Sequence, residues 1–500
     1  MRAVREGRVH SGSVGEGRRG GRCSPEVELL ESRCLLSAAI VPGLGGSAAR
    51  GHRASDRVTV DEVPNDLKPS KLYGMVKISA PAAWDITTGA TTVVVADIDT
   101  GIDYTHPDLY LNVWLNQGEI PFGVGAGGLT DVDADGIITF RDLNARNAGG
   151  GLVNGDFVTD LNGTGYIDAG DLLGDEDWAD GVNQDLNSYV DPASQGTVQC
   201  TDDLIGWDFA NLDNDPMDDR GHGTHTAGTI GAMGNNGIGV TGVNWVVQIM
   251  PLKFLDITGV GWGDDAAVAV RYAVSKDVRI SNHSYGGDGV STTDPLYQAI
   301  QYAGTKGHMA ICSAGNLGAN NDYYPHWPAT YLLNNIIAVA ATDQKDAKAK
   351  WSNYGPSLVE LGAPGVDILS TVPVSGPAKT RKGYETKSGT SMAAPHVTGA
   401  VALLLAKNPK LTLEQIRGLL LSNVDPVSSL AGKTISGGRL NVYRSLVAEP
   451  AVAAGSSASS TMSSSASSAI SASRSLFSTR AIRNPAVGAV EAVWKWPLAV

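Results

Sequence analysis

The chain of 500 residues has only four cysteines, Cys23, Cys34, Cys200 and Cys312, too few and too scattered for a disulfide framework. No Cys-x-x-Cys pair marks a zinc site. It also has no uninterrupted run of the ~18 apolar residues that a membrane-spanning helix requires. Basic residues are in deficit, 38 Lys and Arg against 52 Asp and Glu, and the net charge of −14 disfavours nucleic acid as a partner. What is present is a hydrophobic fraction of 42% with 18% charged residues, which excludes global disorder and supports a sizeable core. The length suggests about three domains, unless one large α/β domain takes up most of it.

The acidity belongs to one segment. Residues 116–220 carry 22 Asp and Glu against three Arg and no Lys, whereas the other 395 residues are slightly basic. Carboxylates this dense repel one another unless cations intervene, which points to calcium.

Residues 1–22 are rich in Arg and Gly, and Cys34–Val41 is an apolar stretch of the length of a signal h-region, so residues 1–50 read as a leader or targeting extension. A short linker over 51–71 is expected to follow. From Leu72 to Val447 the pattern is globular. Apolar runs at Thr92–Ile98, Val246–Leu252, Val278–His283, Met309–Ser313 and Ile336–Ala340 have no polar alternation, the pattern of strands covered on both faces. Helical stretches at Asp264–Lys276 and Pro295–Lys306 lie between some of them, and Thr412 to Gln415 fits a capping box. The fold class expected is α/β, a largely parallel central sheet with helices on both faces. Residues 448–480 are Ser/Ala-rich and read as a linker, with a C-terminal tail over 481–500.

Three blocks carry chemistry: VVVADIDTGIDYTHPDL around Asp99, DRGHGTHTAGTIGA around His222, and KSGTSMAAPHVTGAVALLL around Ser391. A serine hydroxyl needs an adjacent base to become a nucleophile, and an imidazole base needs a carboxylate to fix its tautomer. Asp99 ends a strand, where open α/β sheets place their crevice. Ser391 opens a helix, where free backbone N–H groups stand beside its hydroxyl. Pro395 is expected in the first turn, where a missing N–H is tolerated. Asp97 lies within the strand and lacks the following turn, so it competes poorly with Asp99. His225 and His396 read as packing or hydrogen-bonding residues, and Cys312 as a small core residue.

These blocks resemble the subtilisin-like serine peptidases (subtilases), including the chain order Asp, His, Ser. The resemblance covers about residues 72–447 and extends to SNHSYGG at 281–287, SAGN at 313–316 and WSNYGP…GAPG at 351–365. It implies that Asp99 orients the base, His222 is general base and then acid, Ser391 is the nucleophile, and Asn316 supplies the side-chain amide of the oxyanion hole. It further implies that Ser284, Tyr285, Gly286 and Gly287, with Ser313, Ala314 and Gly315, line the specificity pocket of a polypeptide substrate. Tyr285 departs from the more usual Leu there, and its phenol is expected either to alter a subsite or to pack. A sedolisin-type site would replace the base with Glu, and His222 argues against it. The resemblance also implies an N-terminal inhibitory prodomain, for which the roughly 30 residues between Gly43 and Leu72 are too few.

Between Asp99 and His222 lie 122 residues. Within the insertion, at about 116–205, DVDADGIITFRD (131–142) places Asp131, Asp133, Asp135, the Ile137 carbonyl and Asp142 at the ligand positions of a twelve-residue calcium loop. DLNGTGYIDAGD (160–171) does the same with Asp160, Asn162, Thr164, the Tyr166 carbonyl and Asp171. The pair resembles EF-hand or dockerin-like loops, with Asp for the usual Glu at position 12 and no room for an entering helix before the first. A looser stretch at 180–191 resembles the acidic loop many bacterial subtilases carry before a GW(D/N)F block, here Gly206–Phe209. Asp108 with Gly234–Val240 matches a further subtilase calcium site. The expected protein is a secreted, calcium-stabilised serine endopeptidase, extracellular or at the cell surface, with Ca2+ and no organic cofactor. The alternative is a calcium-dependent binding module whose acidic insertion docks a partner, with peptidase activity secondary or absent.

Overall fold

The computed structural model describes residues 64–66, 71–288, 292–380, 382–450 and 497–499. The expected leader, most of the expected Ser/Ala-rich linker and nearly all of the tail lie outside these residues.

Nine strands form one sheet. From one edge it runs Asp425–Pro426, Gly438–Arg439, Leu361–Pro364, Ile336–Thr342, Met309–Ser313, Ile280–His283, Gly89–Asp99, Val246–Lys253 and Trp207–Asp208. Every neighbouring pair is parallel except the edge pair of Asp425–Pro426 with Gly438–Arg439. The expected parallel α/β architecture is therefore what the chain adopts.

Side-chain alternation explains the uninterrupted apolar runs. Val95, Ile311, Ile337 and Val339 face one way, into a core with Val397, Val401 and Leu404 of the helix Thr390–Lys407 and Ala227 and Ile230 of the helix Gly223–Gly231. Ala96, Ile98, Ala310, Cys312, Ala338 and Ala340 face the other way, against the helices Gly263–Ser275 and Pro295–Thr305. Both faces are covered, so neither has polar positions to spare. The helix Thr390–Lys407 is buried all round from Thr390 to Leu405, which makes it a core helix.

The Gly89–Asp99 strand sits where strand order reverses: the chain proceeds from it to one side at Val246–Lys253, then crosses to Ile280–His283 on the other. Such a switch point opens a crevice at the carboxyl ends of the strands. Asp99, His283 and Ser313 are the last residues of three successive strands at that end.

The acidic segment packs Leu129, Ile138, Phe140, Leu143, Ile167, Leu172 and Trp178 into a small core shared with Tyr104, Val113 and Leu115. Its ends meet, the Asn116 N–H donating to the Leu204 carbonyl at 2.7 Å. Each candidate calcium loop runs into a one-turn helix, Phe140–Asn144 or Ala169–Leu173, opened by a capping box, and no helix enters either loop. Paired calcium loops of the EF-hand kind join through their eighth residues. Here Ile138 exchanges both backbone hydrogen bonds with the Gln117 amide, and Ile167 does so with the Asn144 amide. Finally, Pro497–Ala499 pairs antiparallel with the strand Val260–Trp262.

Candidate active site

Asp99 leaves the sheet at a turn that only glycine permits. Gly101 has φ +95°, and a Cβ on it would lie 2.3 Å from the Pro216 carbonyl. Gly223 approaches as closely, since its Cβ would stand 2.1 Å from the Gly101 carbonyl. These two glycines let the Asp99 turn and the His222 helix touch. Asp218 holds them together. Its fully buried carboxylate accepts from Thr100 Oγ1 at 2.9 Å, from Thr224 Oγ1 at 2.6 Å, and from the backbone N–H groups of Arg220, Gly221 and Thr224. The sequence reading passed over Asp218; its one local signal is its place just before the His222 block.

The result is a bifurcated contact of His222 Nδ1 with Asp99, at 2.8 and 3.0 Å to the two carboxylate oxygens. An acceptor at Nδ1 means that Nδ1 carries the proton, leaving the Nε2 lone pair of a neutral ring free. Asp97 does not share this contact. Its carboxylate accepts from Thr226 Oγ1 at 2.8 Å and Asn282 Nδ2 at 2.9 Å, and burial, with repulsion from Asp99 next, raises its pKa well above the ordinary range. Thr398 Oγ1 donates to Asn282, so the Asp97 network ties the Asp99 and Ile280–His283 strands to both core helices.

Ser391 is the second residue of its helix. The Asn316 carboxamide is oriented by Thr390, whose N–H and hydroxyl both donate to Asn316 Oδ1 at 2.9 Å. That turns Nδ2 the other way. An atom built where a Gly389 Cβ would be lies 3.6 Å from the Ser391 nitrogen and 3.8 Å from Asn316 Nδ2, so two N–H donors border one small space. The Ser391 hydroxyl makes no hydrogen bond among the described residues. Contacts of this kind often tighten only when substrate is bound.

Pro395 corrects an expectation. It is the sixth helical residue and not part of the first turn, so its absent N–H leaves the Ser391 carbonyl without its i+4 donor. Ser284 Oγ fills the gap, donating at 2.8 Å. Ser284 is thus buried against the backbone of Ser391 itself. Tyr285 is buried too, with its ring edge-on to Phe254 at 4.6 Å, so of the two expectations its ring packs. Its hydroxyl lies 2.6 Å from His283 Nδ1, His283 Nε2 lies 2.7 Å from Ser281 Oγ, and Ser281 Oγ lies 2.7 Å from His308 Nε2. His308 Nδ1 reaches the Val278 carbonyl at 2.7 Å. A carbonyl only accepts, which directs the whole chain: each hydroxyl and ring donates once, and both imidazoles are neutral. Burial lowers the two imidazole pKa values to about 3 for His283 and about 4 for His308. Gly286 and Gly287 are half-buried, while Ser313, Ala314 and Gly315 are buried at the end of the next strand. His225 bonds the Ile368 and Glu385 carbonyls and His396 bonds the Met392 carbonyl, as packing residues would.

In the insertion, Asp131, Asp133 and Asp142 bring carboxylate oxygens within 4.8 Å of one another. Desolvation, and then Asp135, raise the Asp133 carboxyl above its ordinary value. Asp135 is turned to the Thr91 hydroxyl and the Ile137 N–H. The second loop is closed on itself. Asp160 accepts from the N–H groups of Gly163, Thr164 and Gly165, Asp171 from Leu161 and Asn162, and the Thr164 hydroxyl is within 2.9 Å of the Tyr166 carbonyl. A third group was only half legible in the sequence. Glu119, Asp185 and Asp203 also converge within 4.8 Å, and Glu119 Oε2 and Asn187 Oδ1 are buried with no hydrogen-bond partner among the described residues. Lys276 pairs with Asp185 and, at 3.4 Å, with Asp203, so one ammonium serves a cluster of three carboxylates. Burial pushes the Glu119 carboxyl up to about 7. Asp108 accepts from Asn236 Nδ2 at 2.6 Å and the Val240 N–H at 3.0 Å, and burial raises its pKa to about 7.

Comparison with known proteins places these features in context. The subtilase-family model matches residues 90–470. Thermitase of Thermoactinomyces vulgaris is 30% identical over 384 residues, 77% of this chain and 99% of the relative. Subtilisin Savinase of Lederbergia lenta is 38% identical over 224 residues, 45% of this chain and 77% of the relative. The cell wall-associated protease of Bacillus subtilis (strain 168) is 38% identical over 240 residues, 48% of this chain and 25% of the relative.

Proposed function

Because this chain belongs to the subtilase family of serine endopeptidases, we propose that it hydrolyses polypeptides through Ser391, His222 and Asp99, with Asn316 and the Ser391 N–H as oxyanion donors. The observation that carries this assignment is the imidazole held at Nδ1 by a buried carboxylate, which leaves Nε2 as a base. Nε2 takes the Ser391 proton as the oxygen attacks the scissile carbonyl. The developing oxyanion enters the space bordered by Ser391 N–H and Asn316 Nδ2, and Asp99 stabilises the imidazolium. The imidazolium then protonates the leaving amine, and a water activated by the same ring releases the acyl group from Ser391. The substrate lies extended along Ser284–Gly287 and Ser313–Gly315.

Calcium fits the donor sets. Asp131, Asp133 and Asp142, with Asp135 and the Ile137 carbonyl, would hold one ion. Glu119, Asp185 and Asp203 supply hard oxygen ligands for another, and the orphaned buried Glu119 Oε2 there supports a cation. Asp160, Asn162, Thr164, the Tyr166 carbonyl and Asp171 form a second-loop site once the Thr164 hydroxyl releases that carbonyl. The ions serve stability and take no part in the chemistry. Export to the extracellular space or cell surface is supported by the signal-like stretch at Cys34–Val41, and no described helix is long and apolar enough to cross a membrane. A docking role for the insertion is favoured by Val132 and Leu161, the second residues of the two loops, which are both exposed.

The test is fluorophosphonate labelling of the purified chain and of Ser391→Ala, with and without chelator. Labelling of the first alone is expected, lost slowly once calcium is removed. Undiminished labelling of Ser391→Ala overturns the nucleophile assignment, and indifference to chelator overturns the role of calcium.

A further inference from the structure

The strand Val260–Trp262 has one strand partner among the described residues, Pro497–Ala499, from the far end of the sequence. The pairing is antiparallel, Pro497 opposite Trp262, Leu498 opposite Gly261 and Ala499 opposite Val260. The same segment also lies near the strand Gly287–Asp288, which pairs with His326–Trp327. Gly287 ends the Ser284–Gly287 segment, and Ser284 is bonded to the Ser391 carbonyl. At ~3.3 Å per residue, this puts the backbone bordering the segment about 10 Å along the chain from that contact. A stretch of this chain therefore holds the edge of the strand Val260–Trp262, in the manner by which an extended peptide adds to a sheet.

We propose that residues 497–499 compete with polypeptide substrate for the cleft of their own chain. The proposal rests on the peptidase reading above. Addition of a strand through main-chain hydrogen bonds is tolerant of sequence, so the chain's own segment and a substrate meet the edge on equal terms. Tethering gives the segment its advantage. The 46 residues from 451 to 496 are, by sequence, rich in Ser and Ala in their first thirty, and a chain of that length spans more than about 100 Å when extended, so reach sets no limit. A tether of this length supplies an effective concentration at or below the millimolar range, enough for partial and reversible occupancy. Substrate then meets an edge that is free only part of the time, which raises KM and leaves kcat alone.

The experiment compares the full chain with the double variant Leu498→Pro/Ala499→Pro, which removes two backbone donors from the segment and touches nothing in the sheet core. Hydrolysis of a chromogenic peptide is followed, with the fluorophosphonate reaction measured in parallel. The variant is expected to show a KM about two- to tenfold lower at unchanged kcat. A synthetic peptide of residues 494–500 added to the variant should inhibit it competitively. Equal KM in the two chains, together with no inhibition by millimolar peptide, overturns this proposal alone. No hydrolysis and no labelling in either chain overturns the peptidase reading and this proposal with it.

Discussion

Ser284 and Asn316 act through atoms that a sequence does not display. Asn316 is useful because Thr390 grips its oxygen, leaving the amide nitrogen to face the space beside Ser391 N–H. Asn316→Ala should lower kcat with little change in KM. The loss of roughly a hundred- to thousandfold is the magnitude known for the equivalent amide in subtilisin and is borrowed from there. Steady-state kinetics on one peptide substrate decide it; a loss carried by KM instead would remove Asn316 from the oxyanion site. Ser284→Ala strips the Ser391 carbonyl of its donor, because Pro395 cannot supply one. A buried acceptor left unpaired costs about 1–3 kcal/mol, so the variant should melt at lower denaturant concentration and also turn over more slowly. Asp97 behaves differently. Asp97→Asn preserves partners for Thr226 and Asn282 and should fold normally, whereas Asp97→Ala leaves one Asn282 N–H unpaired, Thr226 keeping the Gly223 carbonyl, and should lose about 1–3 kcal/mol in a urea titration.

Among the elements, the strands and long helices were legible in the sequence, since strands covered on both faces leave apolar runs that Gly and polar residues interrupt cleanly. The Met309–Ser313 strand falls where the pattern places it, and the helix Leu413–Ser422 opens at the capping box of Thr412 and Gln415. The three reactive blocks were legible for a related reason: close backbone approaches demand glycine, so Gly101 and Gly223 mark the turns beside Asp99 and His222. The rest was not. Ser284 and Ser391 are 107 residues apart, and no local spacing announces that a proline in one helix needs a hydroxyl from a distant strand. The same holds for the buried imidazoles. His225, His283, His308 and His396 are neutral in the fold, with burial holding their pKa values at about 3 to 4. Below the ordinary histidine pKa of ~6.5 the unfolded chain takes up protons that the folded chain refuses. Stability is therefore full above that pH and falls as pH drops toward 4, by about 1.4 kcal/mol per pH unit for each such ring. His396→Gln keeps a donor for the Met392 carbonyl and should reduce proton uptake on unfolding by about one between pH 6 and 4.5, read from the pH dependence of the urea midpoint. An unchanged dependence would show that His396 is already charged in the fold.

For the molecule as a whole, the uneven charge is the governing fact: the carboxylates gather in the insertion, while the catalytic frame is close to neutral. A ligand bound only by the folded state at a hundred times its Kd contributes about 2.7 kcal/mol, or roughly 5 °C in Tm for a domain of this size. Calcium should raise Tm by about that much per occupied site in a thermal melt. Asp133→Asn should remove one such increment without altering the Tm in chelator, because Asp133 is exposed and caps no helix. If the increment survives, the first loop is not a calcium site. The meeting of Asn116 with Leu204 has a separate consequence. The polypeptide leaves the catalytic body and returns through one doorway, and the apolar nucleus between is completed by Tyr104, Val113 and Leu115 of that body. A designer can use that doorway: a short glycine-containing turn from Gln117 to Asp203 would excise the segment, provided that Tyr104, Val113 and Leu115 are given new cover, and would leave a port for foreign modules.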